Sequence, residues 1–179
     1  MIERWPQRYA RIAGVLYLGT IVTGALAAMS TGGRSIANLS ATLCYVGVTV
    51  LFYYLFRPVN RGLSLVAAIF SLVGCLAGAL TALELTLLPV SPLVFFGVYC
   101  LLIGYLILQS TFLPRILGVL MAIGGAGWLT FVSPALSTRL SPFNMLPGVV
   151  GEGALTLWLL VRGVDAPRWR MRATASERG

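Results

Sequence analysis

Residues 93–133 read LVFFGVYCLLIGYLILQSTFLPRILGVLMAIGGAGWLTFVS. Two apolar runs, 93–110 and 116–133, lie on either side of one polar break, STFLPR. At 1.5 Å per helical residue each run reaches about 27 Å, close to the ~30 Å hydrocarbon core of a bilayer. The stretch therefore reads as two membrane-crossing helices joined by a short turn.

Working outward, runs of the same kind occupy 12–29, 38–56, 63–88 and 145–162, separated by STGGRS, RPVNRG, PVSP and SPALSTRLSPFNMLP. Ser, Gly, Pro and Asn in these breaks are turn residues, and none of the breaks is long enough to hold a soluble domain. Composition agrees: 58% of residues are hydrophobic and 10% charged, far from the balance of a soluble domain. The expected fold is all-α, an integral membrane bundle of six transmembrane helices. It forms a single domain over residues 1–164, followed at 165–179 by a basic cytoplasmic tail that is interfacial or disordered. The first run, between RWPQRYAR and ALAAMS, has some marks of a signal peptide. Five further spans follow it, so it is read as an uncleaved signal anchor.

Charge orients the bundle. The thirteen basic residues are all Arg. Arg4, Arg8, Arg11, Arg57, Arg61, Arg115, Arg162, Arg168, Arg170, Arg172 and Arg178 flank the spans on one side, and Arg34 and Arg139 lie on the other. The positive-inside rule then places both termini in the cytoplasm. The net charge of +8 is a topology signal, and without a separate basic domain it argues against a nucleic-acid partner. The tail residues Arg168, Trp169, Arg170 and Arg172 are expected at headgroup level, with the bilayer and its anionic cytoplasmic lipids as partners. Arg without Lys, among abundant Ala, Gly, Leu and Val, suggests a GC-rich bacterial genome and hence a bacterial inner membrane.

Missing residues restrict the chemistry. The chain has no His, which excludes axial-His haem ligation, His-based zinc sites and a His general base. Cys44, Cys75 and Cys100 have no metal-ligand spacing and read as small apolar residues inside spans. With no phosphate loop and no nucleophile elbow, no cofactor or metal is expected, and an enzyme has little to stand on. One internal similarity is visible: RIAGVL at 11–16 returns as RILGVL at 115–120, with RGLSLV at 61–66 a weaker copy. This is compatible with three repeated two-helix hairpins. A shared preference of inside-starting helices for Arg followed by Gly and aliphatics accounts for it as well, and is the reading preferred.

Two acids stand inside apolar sequence. On the last span Gly148, Glu152 and Thr156 recur at i, i+4 and i+8, which turns Glu152 toward the small-residue face and away from lipid. On the third span Gly74 and Gly78 lead through Thr81 to Glu84, so the second acid is expected on the same kind of face, with snorkelling to the outer headgroups as the alternative. Gly74, Gly78, Gly148 and Gly151 are the expected helix-packing positions. An acid in hydrocarbon either pairs or takes up a proton, and Arg34 and Arg139 are the cations on the outer side. The candidate ligand- or proton-binding residues are thus Glu152, Glu84, Thr156, Thr81, Arg139 and Arg34, with Tyr45, Asn38 and Tyr99 nearby.

RIAGVLYLGTIVTG, LFRPVNRGLSLVAAIFSLVG, LLIGYLILQSTFLPRILGVLMAIGGAG and PGVVGEGALTLWLLVRGV, in that order, resemble the bacterial membrane family known as domain of unknown function 4386. The resemblance covers most of residues 11–164 and is most specific in LPRILGVL and in GE…LWLL…G. It implies a multi-helix inner-membrane protein and carries no established activity. Members tend to have a longer segment between the first two helices, an acid in the second helix and an Arg in the third. Here those stretches are STGGRSIA, ATLCYVG and IFSLVG, with Ser71 where the Arg would be. The Glu152 position carries over.

Three functions follow as expectations. The first is binding or transport of a small molecule or lipid at an outward-facing site around Glu152. The second is an accessory or structural subunit that docks a membrane partner or a second copy of itself. The third, an enzyme using both acids, requires Glu84 and Glu152 across one cavity.

Overall fold

The computed structural model describes residues 6–29, 33–85 and 90–176. Its long helices are α1 (Pro6–Met29), α2 (Arg34–Phe56), α3 (Arg61–Ala82), α4 (Pro92–Gln109), α5 (Arg115–Leu129) and, after a short α6 (Pro134–Leu140), α7 (Leu146–Val161). A last helix, α8 (Ala166–Ser176), closes the described chain. Six of these segments, α5 and α7 extended by 3₁₀ turns, are long and apolar enough to cross a membrane. The protein is a multi-pass membrane protein.

Helix starts follow local chemistry. Asn60 caps α3 by accepting from Leu63 N, and Ser91 caps α4 by accepting from Leu93 N, with Pro92 in the first turn where its missing N–H costs nothing. Pro114 immediately precedes α5 in extended conformation, so the break seen in STFLPR is a proline-set stop and restart.

Packing runs α1 on α2, α2 on α3, α3 on α4, α4 on α5, α5 on α7 and α7 back on α1, so the six long helices close into a ring. At interaxial distances of about 8–10 Å, a ring of six encloses a space that small side chains cannot fill. Tyr17, Tyr45, Phe52, Phe56, Tyr99 and Met121 fill it, all buried. Val15, Leu43, Leu76, Ile116, Leu157 and Val161 lie on the outside, exposed, as lipid-facing side chains should be.

The α4–α5 contact is glycine-built. Gly97 and Gly104 on α4 meet Gly125 and Gly118 on α5, and a Cβ on Gly104 or Gly125 would stand 2.7 Å from the carbonyl oxygen of its opposite number. The seven-residue spacing on both helices puts these glycines on one seam. The expected packing glycines divide differently. A Cβ on Gly151 would meet Leu120 O at 2.5 Å and one on Gly74 would meet Phe95 Cβ at 3.1 Å, whereas one on Gly78 would find only Pro92 Cβ, at 4.0 Å. Gly78 is therefore not a tight contact.

The third span is shorter than expected. Where the hydropathy runs on to 88, the helix stops at Ala82, and residues 86–88 lie outside the described residues. Glu84 has φ 61, Glu84 N donates to Thr81 O, and Leu85 N donates to Leu80 O at 2.8 Å. This is a Schellman ending with a carboxylate residue in the left-handed position that glycine usually takes. Glu84 is exposed and lies past the helix, so its expected place on the small-residue face is overturned: a continuous helix would have carried it there, and the turn does not.

One end of the bundle is pinned to α8. Gln7 grips the α7–α8 turn, Nε2 donating to Arg162 O at 2.7 Å and Oε1 accepting from Val164 N at 2.9 Å. Asp165 N donates to Phe112 O at 3.1 Å, and the Trp169 indole donates to Leu55 O at 2.8 Å. Trp169 is buried. Its expected place at the headgroups is thus corrected, because its N–H satisfies a carbonyl at the C-terminal end of α2. On the same helix Arg170 is exposed and Arg172 half-buried.

Gly104→Ala should lower the melting temperature in detergent, an overpacking cost of about 1–3 kcal/mol, while Gly78→Ala should not; equal melting of the two variants would refute the seam. At the end of α3, Glu84→Gly should keep or raise the melting temperature and Glu84→Val lower it, since a β-branched residue resists positive φ. A stable valine variant would show that the left-handed turn is not required.

Candidate functional site

Glu152 lies roughly two turns into α7, on the face that buries Gly148, Leu155, Thr156 and Leu159. Its Oε1 accepts from the Trp128 indole of α5 at 2.7 Å and from the Cys100 thiol of α4 at 3.6 Å. Tyr17 of α1 is close enough to the carboxyl to interact with it, and Tyr45 and Tyr99 lie within its electrostatic range. Side chains from α1, α2, α4 and α5 thus converge on one carboxyl of α7.

Gly148 explains the spacing of the stripe. A Cβ there would overlap the Trp128 ring, so the glycine one turn before Glu152 leaves room for the indole that donates to it. The opposite side of the site is aromatic. Tyr45 makes edge contacts with Tyr17, Phe96 and Tyr99 at ring separations of 5.5, 4.7 and 5.8 Å, and its hydroxyl is 3.4 Å from that of Tyr17.

Three features set this cluster apart from ordinary core. Glu152 is half-buried although its helix face is inward. Tyr99 Oη and Thr156 Oγ1 are buried without a hydrogen-bond partner, an uncommon state for hydroxyls in a folded protein. Among the described residues no arginine forms an ion pair with Glu152; Arg168 pairs with Asp165 instead.

Of the residues expected to act together, the structure joins Glu152 and Thr156 and adds Tyr45 and Tyr99. Thr81 is exposed and bonds its own helix at Ala77 O. Arg34 opens α2 and Arg139 ends α6, both exposed, and neither is a counter-charge to the acid. Glu84, exposed in its turn, does not share the site, which removes the two-carboxylate enzyme. Trp128, Cys100 and Tyr17 were not foreseen. The signal for Trp128 was present, because an indole N–H in a membrane span must find an acceptor, and Glu152 is the one acidic side chain on the neighbouring long helix.

Where the resemblance led one to expect an Arg in the third helix, Ser71 is fully buried and its hydroxyl bonds that of Thr49 on α2. A neutral pair joins α2 to α3 there.

Comparison with known proteins adds the family. The family described as "Domain of unknown function (DUF4386)" matches residues 33–92 and 90–163. A protein of Archaeoglobus fulgidus described as "Uncharacterized protein" is 32% identical over 129 residues, covering 66% of this chain and 76% of the relative. No solved structure matches.

Removing the indole donor or the acceptor should be costly. Trp128→Phe and Glu152→Leu each strand a buried polar group, at about 1–3 kcal/mol, whereas Glu152→Gln keeps an oxygen for the indole and should cost less. Thermal unfolding in detergent checks the order; a Gln variant as unstable as the Leu variant would break the argument.

Proposed function

The chain belongs to the DUF4386 family, and on that premise we propose that it binds or transports a small molecule or lipid through an intramembrane site around Glu152. The observation that carries this reading is a carboxyl on an inward helix face with no cationic partner among the described residues, beside two buried hydroxyls without a hydrogen-bond partner, Tyr99 and Thr156. A ligand group that donates hydrogen bonds or bears positive charge would satisfy the carboxyl, and the surrounding rings favour the same charge. Arg8, Arg11, Arg57, Arg61, Arg115 and Arg162 flank helix ends at the α8 end of the bundle. The positive-inside rule supports placing that end in the cytoplasm, in a bacterial inner membrane, with Glu152 in the outer half and the site opening outward. The near-equal hairpins α1–α2, α3–α4 and α5–α7 fit a repeat of one two-helix unit.

A second reading, an accessory subunit docking a partner or a second copy, draws on Gly24 and Gly153, where an added Cβ would meet nothing within 4 Å among the described residues, which would allow another helix to approach closely.

Native mass spectrometry from mild detergent tests both. The binding reading expects a co-purifying small molecule on the wild type, at least about tenfold depleted in Glu152→Gln, a loss of roughly 1.4 kcal/mol. Equal occupancy in both proteins, or a bare wild type, would overturn it. A protein partner or dimer mass without a small molecule would establish the accessory role instead.

A further inference from the structure

A crevice of about 380 Å³ opens between the α4–α5 turn and the α7–α8 turn, with Thr111, Pro114, Trp158, Arg162, Asp165 and Arg168 among its lining. Its size is that of a small-ligand site. It lies at the ends of α4, α5 and α7, the level at which a membrane helix leaves hydrocarbon for headgroups. It shares no lining residue with the Glu152 cluster.

The two arginines are held in different ways. Arg168 Nε pairs with Asp165 Oδ2 at 3.1 Å and Nη1 donates to Thr111 O at 3.2 Å, which fixes its guanidinium plane across the crevice. The Arg162 guanidinium sits 5.9 Å over the Trp158 ring, is exposed, and spends none of its N–H donors on that contact. Asp165 is already engaged: besides Arg168 Nε it takes the backbone N–H of Arg168 on Oδ1 at 3.1 Å, capping α8. One engaged carboxylate against two arginines leaves the crevice positive. Its floor is apolar, with Phe112, Leu113 and Val164 buried.

The walls are preformed. Gln7 holds both sides of Gly163, whose φ of 67 and contact with the Gln7 amide admit no side chain. Phe112 O and Leu55 O tie α8 to the rest of the ring through Asp165 N and the Trp169 indole. An anion entering the crevice would therefore not have to order it.

We propose that this crevice binds a phosphate group, with Arg162 and the remaining donors of Arg168 as its ligands and the Trp158 side as the wall for attached carbon. Two planar guanidinium forks suit the several oxygens of a phosphate better than the two of a carboxylate. The position at the helix ends and the apolar floor favour the headgroup of an anionic phospholipid as the source, ahead of free phosphate. This site is independent of the one at Glu152.

The test is native mass spectrometry of the full chain titrated separately with phosphatidylglycerol, phosphatidylcholine and inorganic phosphate. Wild type should retain phosphatidylglycerol in preference to phosphatidylcholine; retention of inorganic phosphate alone would keep the site and assign it to a soluble phosphate. Arg162→Gln should weaken retention about tenfold, and adding Arg168→Gln should weaken it further. Arg61→Gln, at the same end but outside the crevice, should leave retention unchanged. Equal losses in Arg61→Gln and Arg162→Gln would mean diffuse surface charge and overturn the proposal, as would full retention by the double variant. Arg168→Gln also removes a contact to Thr111, so the single Arg162→Gln variant carries the decision if the double variant does not fold.

Discussion

Inside a ring of hydrocarbon-embedded helices a carboxyl must be given a donor, and Trp128 gives Glu152 one at 2.7 Å. Much of the α5–α7 geometry follows from that bond. The indole needs space, and Gly148 provides it by lacking a side chain where the ring lies. The two helices must then run close on either side of the bond. A Cβ at Gly124 would meet Pro147 O at 3.0 Å and one at Gly151 would meet Leu120 O at 2.5 Å, so glycines on both helices permit that approach. Burial of a strongly polar group thus fixes helix spacing, because water is not available to replace a badly placed donor.

The same helix carries a second glycine face. Gly118 and Gly125 turn toward α4, Gly124 and Gly127 toward α7 and the turn before it. α5 is therefore held by backbone approach on two sides, which suits a solvent where apolar side chains gain nothing by leaving lipid and packing has to come from contact itself. Cys100 on α4 and Trp128 on α5 reach Glu152 from adjacent helices; the tight seam between those helices sets the angle at which they do so.

Element type and number were legible in the sequence because the signal is long: some twenty apolar residues admit few structures. The inward direction of Glu152 was also legible, since Gly148 and Thr156 lie one turn to either side. Glu84 was misplaced for a local reason. A Schellman ending is usually announced by glycine, and here the left-handed residue is an acid, so the hydropathy appeared to continue the helix. Trp169 was misplaced because an aromatic among arginines looks interfacial, and only the tertiary contact to Leu55 O shows otherwise. The aromatic filling by Tyr17, Tyr45 and Tyr99 could not be read from any one helix. It follows from closure of the ring, a property of how α7 returns to α1.

Closure also bears on why one acid can remain without a cation. In an open bundle a carboxyl at this depth would face lipid or need an arginine to accompany it. In the ring it faces tyrosine hydroxyls, an indole and a thiol, all neutral, and the nearest substitute for a charged pair between α2 and α3 is the hydroxyl pair of Thr49 and Ser71. Neutral donors hold the carboxyl in place without pairing it with a cation. An arginine would have done both, and would have left nothing at this position for an incoming group to bind. The arginines are instead at the helix ends, where Arg162 and Arg168 line a crevice with an apolar floor. The chain thus separates an acid with no cationic partner among the described residues, inside the ring, from two arginines that share one carboxylate at its rim.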